Sequence, residues 1–291
     1  MKRGFFSLFF LFLIDLKKAR MEPVVTSKWL YKHINDPDLL ILDASLADPI
    51  SGEISKFADK CIPGARFFDL KNNFSDKKSP YPNMLPKPED FQRACRKLGI
   101  NASSKLIIYD NLGVYSSPRV WWMFKAMGHS NVAVLDGGLP DWIANGYPIE
   151  AIHNIKKITP GTFEAHYKKA LVVDFEMITS NINEQKALVV DARSEGRFKG
   201  TAPEPRAELK SGHIPNSVNI PYETVLENGK FKKASDLALI FDKELYAEQP
   251  LIFSCGSGLT ACIILLASEL VLSNQKAVYD GSWTEWTQKM N

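Results

Sequence analysis

Residues Pro250–Leu270 read PLIFSCGSGLTACIILLASEL. Leu251–Phe253 is a short, apolar, β-rich run and Ala261–Leu270 a long apolar one. The first reads as a buried strand and the second as a packed helix. Between them CGSGLT is a tight loop that ends where the helix begins, near Thr260. Such a junction offers unpaired backbone N–H groups and the positive end of a helix dipole, which together suit an anion. Gly256 and Gly258, at alternate positions, let the chain curl so that successive amides face one centre. Cys255 stands at that centre, where the thiolate, a nucleophile, is favoured.

Working outward, the same plan occurs twice, about 150 residues apart. LLILDAS (39–45) answers to ALVVDAR (187–193), and CIPGARFFDL (61–70) to HIPNSVNIPY (213–222). KLIIYDNLG (105–113) answers to PLIFSCGSG (250–258), and VAVLDGGLPDW (132–142) to KAVYDGSWTEW (276–286). Blocks that keep both order and offset indicate a duplicated domain. Strands apolar on both faces, alternating with helical patterns, predict an α/β fold of two tandem domains, each a parallel sheet flanked by helices on both faces. The expected division is a leader or extension at 1–20, a first domain at 21–147, a linker at 148–165 marked by Pro148, Pro160 and Gly161, and a second domain at 166–291. The run RVWWMFKAMG after Pro118 is apolar almost all round and is predicted to be buried. In such sheets ligands sit beyond the carboxyl ends of the strands, where CGSGLT falls. The first copy has Asp110 at the position of Cys255, so only the second carries a nucleophile.

A chain of 291 residues accommodates two domains, and 45% hydrophobic with 24% charged residues is a globular composition. A net charge of +3, from 36 basic and 33 acidic residues, gives no basic excess for nucleic acid. The four cysteines form no C-x-x-C pair, which fits free thiols in a reducing compartment, cytoplasmic or mitochondrial. In MKRGFFSLFFLFLIDLKKAR (1–20) the apolar run Phe5–Ile14 is too short for stable membrane insertion. A basic cluster rather than a small-x-small cleavage site follows it, which disfavours a secretory leader.

Several chemistries fall away. A cysteine phosphatase needs arginine six residues after the nucleophile, and that position is Ala261. A Cys–His hydrolase needs a base, yet His213, the only histidine within a motif, sits in a GHIP setting that reads as structural. No residues cluster with metal-ligand spacing, and neither metal nor cofactor is expected.

CGSGLTA resembles the active loop of the 3-mercaptopyruvate sulfurtransferases, a branch of the rhodanese superfamily. The resemblance extends to DARSEGRFKGTAPEPR (191–206), GHIPNSVNIPY, YDGSWTEW and, in the first half, IPGARFFDL, SPRVWWMFKAMGH and VLDGGLPDW. It implies that the C-terminal domain is catalytic. Cys255 would take sulfur from 3-mercaptopyruvate as a persulfide held by the loop amides, including those of Gly256, Gly258, Leu259 and Thr260. Pyruvate would leave, and thioredoxin, small thiols or cyanide would accept the sulfur. Ser257 would supply or relay a proton. Arg197 and Arg206 would grip the keto acid carboxylate. Thiosulfate-specific relatives carry Arg and Lys in place of Gly256 and Ser257, so the neutral loop favours a donor whose charge lies away from its sulfur. The runner-up readings are a thiosulfate:cyanide sulfurtransferase and a low-turnover sulfur-carrier or binding module. Relatives usually carry His where this chain has Cys61, a histidine proposed to assist Ser257. Asp43, Asp136, Asp191 and Asp280, with Cys95 and Cys262, are expected to be structural.

Overall fold

The computed structural model describes residues 21–49, 51–151, 158–244 and 249–290; the expected leader and residues 152–157 of the expected linker lie outside them. Five strands form the first sheet: β1 Val24–Val25, β2 Leu39–Asp43, β3 Arg66–Phe67, β4 Lys105–Tyr109 and β5 Val132–Leu135. Their spatial order is β1-β5-β4-β2-β3 and every pairing is parallel. The second sheet comprises β6 Val172–Val173, β7 Leu188–Asp191, β8 Ser217–Asn219, β9 Leu251–Ser254 and β10 Lys276–Tyr279. It repeats the plan as β6-β10-β9-β7-β8, again all parallel. The predicted duplication therefore holds down to strand order. Each nucleophile-position loop leaves the middle strand of its sheet.

The described helices are α1 Ser27–His33, α2 Pro88–Lys97, α3 Ser117–Ala126, α4 Gly138–Ala144, α5 Phe175–Glu184, α6 Glu195–Lys199, α7 Ala234–Glu244, α8 Ala261–Glu269 and α9 Ser282–Met290. Strand residues alternate between two cores, as the pleat dictates. Ile107 and Tyr109 join Leu30 and Trp142 on one face, whereas Leu106 and Ile108 join Trp121 and Phe124 on the other. In β9, Ile252 packs with Trp283 and Trp286, whereas Leu251 and Phe253 face Ile263 and Leu266. The Leu106 and Phe253 faces belong to one continuous core that runs through both domains.

That shared core explains why α3 and α8 are apolar almost all round. Each lies on its own sheet and also packs against the other across the domain boundary. Ile263, Ile264, Leu265 and Leu266 are all buried, at roughly 1.5–3 kcal/mol for each side chain taken out of water. The expected linker is docked where it is described: the Gly161 amide donates to the Arg96 carbonyl at 2.8 Å and the Phe163 amide to that of Ile100 at 3.0 Å. Phe163 is buried. The approach at Gly161 is so close that a Cβ there would meet the Ile100 carbonyl. A hairpin at 226–231 adds a second tie between the halves, with Phe231 N–H donating to Asp136 Oδ1 at 3.0 Å and Lys230 Nζ 2.6 Å from Asp141 Oδ1.

Candidate active site

Cys255 directly follows β9 and is 1% exposed. The conformation of its loop follows from where the carbonyls go. The Cys255 carbonyl accepts from Trp283 N–H (2.9 Å), and that of Gly256 from Thr284 N–H (3.1 Å) and Thr284 Oγ1 (2.7 Å). The Ser257 carbonyl accepts from Asn83 Nδ2 (3.3 Å), and that of Gly258 from Arg119 Nη1 (3.2 Å) and Cys262 Sγ (3.4 Å). Leu259 and Thr260 present theirs to the amides of Cys262 and Ile263 at the start of α8. In a trans peptide the next residue's N–H points opposite to each carbonyl. Carbonyls held outward all along the loop therefore turn the amides of Gly256 to Thr260 inward, where no described residue accepts from them. The Cys255 amide is the exception, donating to Ser282 Oγ at 3.3 Å. The loop is an amide cradle with room for an anion.

The first domain shows the same cradle filled. Asp110, at the position of Cys255, places Oδ2 on the amides of Tyr115, Ser116 and Ser117 at 2.9–3.0 Å and on Ser117 Oγ at 2.7 Å, and Oδ1 on Leu112 N–H at 3.0 Å. One copy satisfies its nest with its own carboxylate; the other ends in a neutral loop around a thiol.

Ser257 is 3% exposed, and its Oγ accepts from Asn83 Nδ2 at 3.1 Å. Position 61 does not assist it. Cys61 pairs with Glu150 in a two-residue antiparallel ribbon beside Asp43 and Tyr109, and it does not line the cavity over Cys255. Burial, then Asp43 and Glu150, push its thiol up. The side chain that reaches Ser257 across the domain boundary is Asn83. Its segment SPYPNMLP gave no sign of this, being a proline-bounded loop like many others. Arg119 was also missed, although a lone arginine in an apolar helix signals a buried partner. It is 0% exposed and donates through Nη2 to Asp280 Oδ1 and to the Asn83 carbonyl, both at 2.6 Å.

The four aspartates expected to be structural are all engaged with protein groups. Asp43 accepts from Tyr109 OH, Asp136 from Phe231 N–H, Asp191 from Arg193, and Asp280 from Leu85 N–H (2.7 Å) as well as Arg119. His213 stacks on Phe198 and bonds the Phe198 carbonyl through Nδ1. Cys95 and Cys262 are fully buried, and burial pushes the Cys262 thiol up to about 12.

A cavity of about 280 Å³ opens over Cys255, lined by Gly256, Ser257, Leu259, Thr260, Arg197 and Arg206, with Tyr115 and Glu53 reaching in from the first domain. Gly258 stands behind this wall, its carbonyl turned to Arg119. A larger hollow of about 410 Å³ lies in the first domain beside Lys77, Lys78 and Lys97 and contains no thiol. The two candidate arginines differ. Buried Glu204 holds Arg197 through Nε (3.1 Å) and Nη2 (2.6 Å) while also accepting from Arg193 Nη1 (2.8 Å). Arg206 donates to Thr284 Oγ1 at 2.9 Å and has no carboxylate partner among the described residues. Arg206 is thus the uncompensated cation of the cavity. Among the described residues no group of His, Cys, Asp and Glu could hold a metal ion.

The family model for the Rhodanese-like domain matches residues 26–145 and 175–289. The chain is 39% identical to the 3-mercaptopyruvate sulfurtransferase of Homo sapiens, covering 90% of this chain and 91% of that protein. It is equally 39% identical to the thiosulfate sulfurtransferase of Rattus norvegicus, over 91% and 92% of the two chains. The crystal structure of SseA from Escherichia coli, a 3-mercaptopyruvate sulfotransferase with the rhodanese fold, superposes with a TM-score of 0.80 at 35% identity, covering 90% of this chain and 99% of that one. With two matching domains, one carrying a thiol in its amide cradle and the other a carboxylate, the chain belongs to the rhodanese family of sulfurtransferases.

Proposed function

We infer that the protein takes sulfur from 3-mercaptopyruvate and passes it to a thiol or cyanide acceptor through a persulfide on Cys255. The Cys255 thiolate attacks the donor's sulfur; the carbon–sulfur bond breaks, and its electron pair leaves with pyruvate as the enolate. Protonation of the enolate carbon, supplied from the Ser257 side of the cavity, completes the first half. An acceptor thiolate then attacks the outer sulfur, carries it away and restores the Cys255 thiolate. The inward amides of Gly256 to Thr260 stabilise the anionic sulfur throughout, in the manner of an oxyanion hole.

Sequence identity does not select the donor, because the human and rat relatives named for different donors are equally close. The observation that carries the choice is the distribution of charge. The loop beside the thiol carries no charged side chain of its own, and the guanidinium groups of Arg197 and Arg206 line the same cavity, that of Arg206 without a carboxylate partner among the described residues. A keto acid, whose carboxylate lies several bonds from its sulfur, can meet those guanidinium groups while its sulfur faces the neutral loop, whereas thiosulfate concentrates its charge beside the sulfur. Thioredoxin or a small thiol is the acceptor class that fits a reducing compartment, cytoplasmic or mitochondrial. No helix of the described residues is long and apolar enough to cross a membrane. The carrier-module reading loses its motive, since Cys61 lies away from the cavity.

Intact mass after incubation with 3-mercaptopyruvate is the test. Wild type gains one sulfur and Cys255→Ser gains none. A kcat/KM for thiosulfate above that for 3-mercaptopyruvate would overturn the assignment of the donor.

A further inference from the structure

The cradle around Cys255 is shaped in part by the domain that has no nucleophile. Arg119 lies on α3 of that domain, 0% exposed and over the ring of Trp122. Its guanidinium meets three oxygens: the Gly258 carbonyl, the Asn83 carbonyl and Asp280 Oδ1. Burial works against its charge, but the Asp280 carboxylate outweighs it, so the guanidinium stays protonated. Gly258 itself is at φ +74°, and a Cβ there would press on the Asp280 carbonyl at 2.9 Å and on Arg119 Nη1 at 3.0 Å. The Gly258 carbonyl thus has two donors behind it, Arg119 and the protonated Cys262 thiol.

The Gly258–Leu259 peptide is the one in the loop whose orientation depends on a side chain from the other domain's helix. Glycine at positive φ leaves this peptide free to rotate about its flanking bonds. The three-way anchor of Arg119 to Asp280, Asn83 and Gly258 removes that freedom. We propose that Arg119 is a positioning residue for sulfur transfer: by holding the Gly258 carbonyl at the domain boundary, it keeps the Leu259 N–H aimed into the cradle of Cys255. Through the Asn83 carbonyl the same guanidinium steadies the side chain that donates to Ser257. Lysine cannot substitute, because a single ammonium does not reach three acceptors set in a planar fork. The proposal rests on Cys255 as the sulfur carrier.

The test compares full-length Arg119→Lys and Arg119→Met with wild type, using steady-state kinetics with 3-mercaptopyruvate and the rate of Cys255 alkylation by iodoacetamide at pH 7. Loss of one inward donor lowers kcat about 100-fold, counted per molecule that takes up sulfur, with KM for the keto acid changed less than twofold. Alkylation slows by about 10-fold in both variants, lysine giving no rescue. A purely structural role would lower the melting temperature and the active fraction but leave kcat per active molecule and the alkylation rate at wild-type values; that result overturns the proposal. If both variants fail to fold, Arg119→Gln decides it, because this shorter, uncharged amide fills the site without reaching all three acceptors. Slower alkylation then supports the anchored peptide, and an unchanged rate overturns it. Alkylation needs no sulfur donor, so a wild type that never gains sulfur refutes the function without bearing on Arg119.

Discussion

The two arginines facing the cavity carry the same formal charge and are not equivalent. Glu204 already occupies Nε and one Nη of Arg197, so an arriving carboxylate meets a partly neutralised group. Arg206 brings a charge that no described carboxylate balances. Charge-assisted hydrogen bonds contribute about 1.5–3 kcal/mol, which corresponds to roughly 10–100-fold in affinity. Arg206→Ala should therefore raise KM for 3-mercaptopyruvate by about 10–100-fold with little change in kcat, and Arg197→Ala by only about threefold. Steady-state kinetics on both variants check this. Equal KM effects would mean that Glu204 releases Arg197 when substrate arrives. Gly256 belongs to the same balance, because a Cβ there would meet Arg197 Nη2 at 2.9 Å. The loop glycine leaves the space that the guanidinium fills.

At the scale of one strand–loop–helix unit, the two copies solve the same electrostatic problem differently. A helix that starts at the end of a strand exposes amides that need an acceptor. In the first copy Asp110 supplies it, accepting from four amides and from Ser117 Oγ. Deleting that carboxylate strands several buried donors at once, each at a cost of about 1–3 kcal/mol. Asp110→Ala should destabilise the protein by at least roughly 3 kcal/mol, and Asp110→Asn, which keeps an acceptor oxygen, by less than half as much. Cys255→Ala should cost little, because no described group depends on its sulfur for a hydrogen bond. Urea midpoints at constant m-value measure all three. A stability loss for Cys255→Ala as large as that for Asp110→Ala would contradict the account of a filled and an open nest.

Across the whole molecule, duplication has not produced two independent bodies. Leu106 and Trp122 of the first domain and Phe253 and Ile264 of the second belong to one core, and α3 and α8 meet inside it. The Arg119–Asp280 ion pair crosses the same boundary, with both side chains nearly inaccessible. Opening that boundary would expose large apolar faces and strand a buried charge, so neither half should persist while the other melts. Scanning calorimetry should give a single transition whose van't Hoff and calorimetric enthalpies agree. Two resolved transitions would show the shared core to be a weak interface.

The sequence by itself determined the parallel sheets, the duplication, the glycine-curled loop around Cys255, the carboxylate in its place in the first copy, and the family. Each of these is written in contiguous residues, as apolar runs, glycine spacing or motif order, and local patterns are legible without neighbours. Only the tertiary structure decided that Asn83 rather than position 61 attends Ser257, that Arg119 reaches the loop around Cys255, and that Glu204 pairs with Arg197 but not Arg206. The first two join residues far apart in sequence across a boundary whose geometry no single segment encodes. The third depends on which of two nearby guanidinium groups a buried carboxylate faces, and that is set by three-dimensional packing.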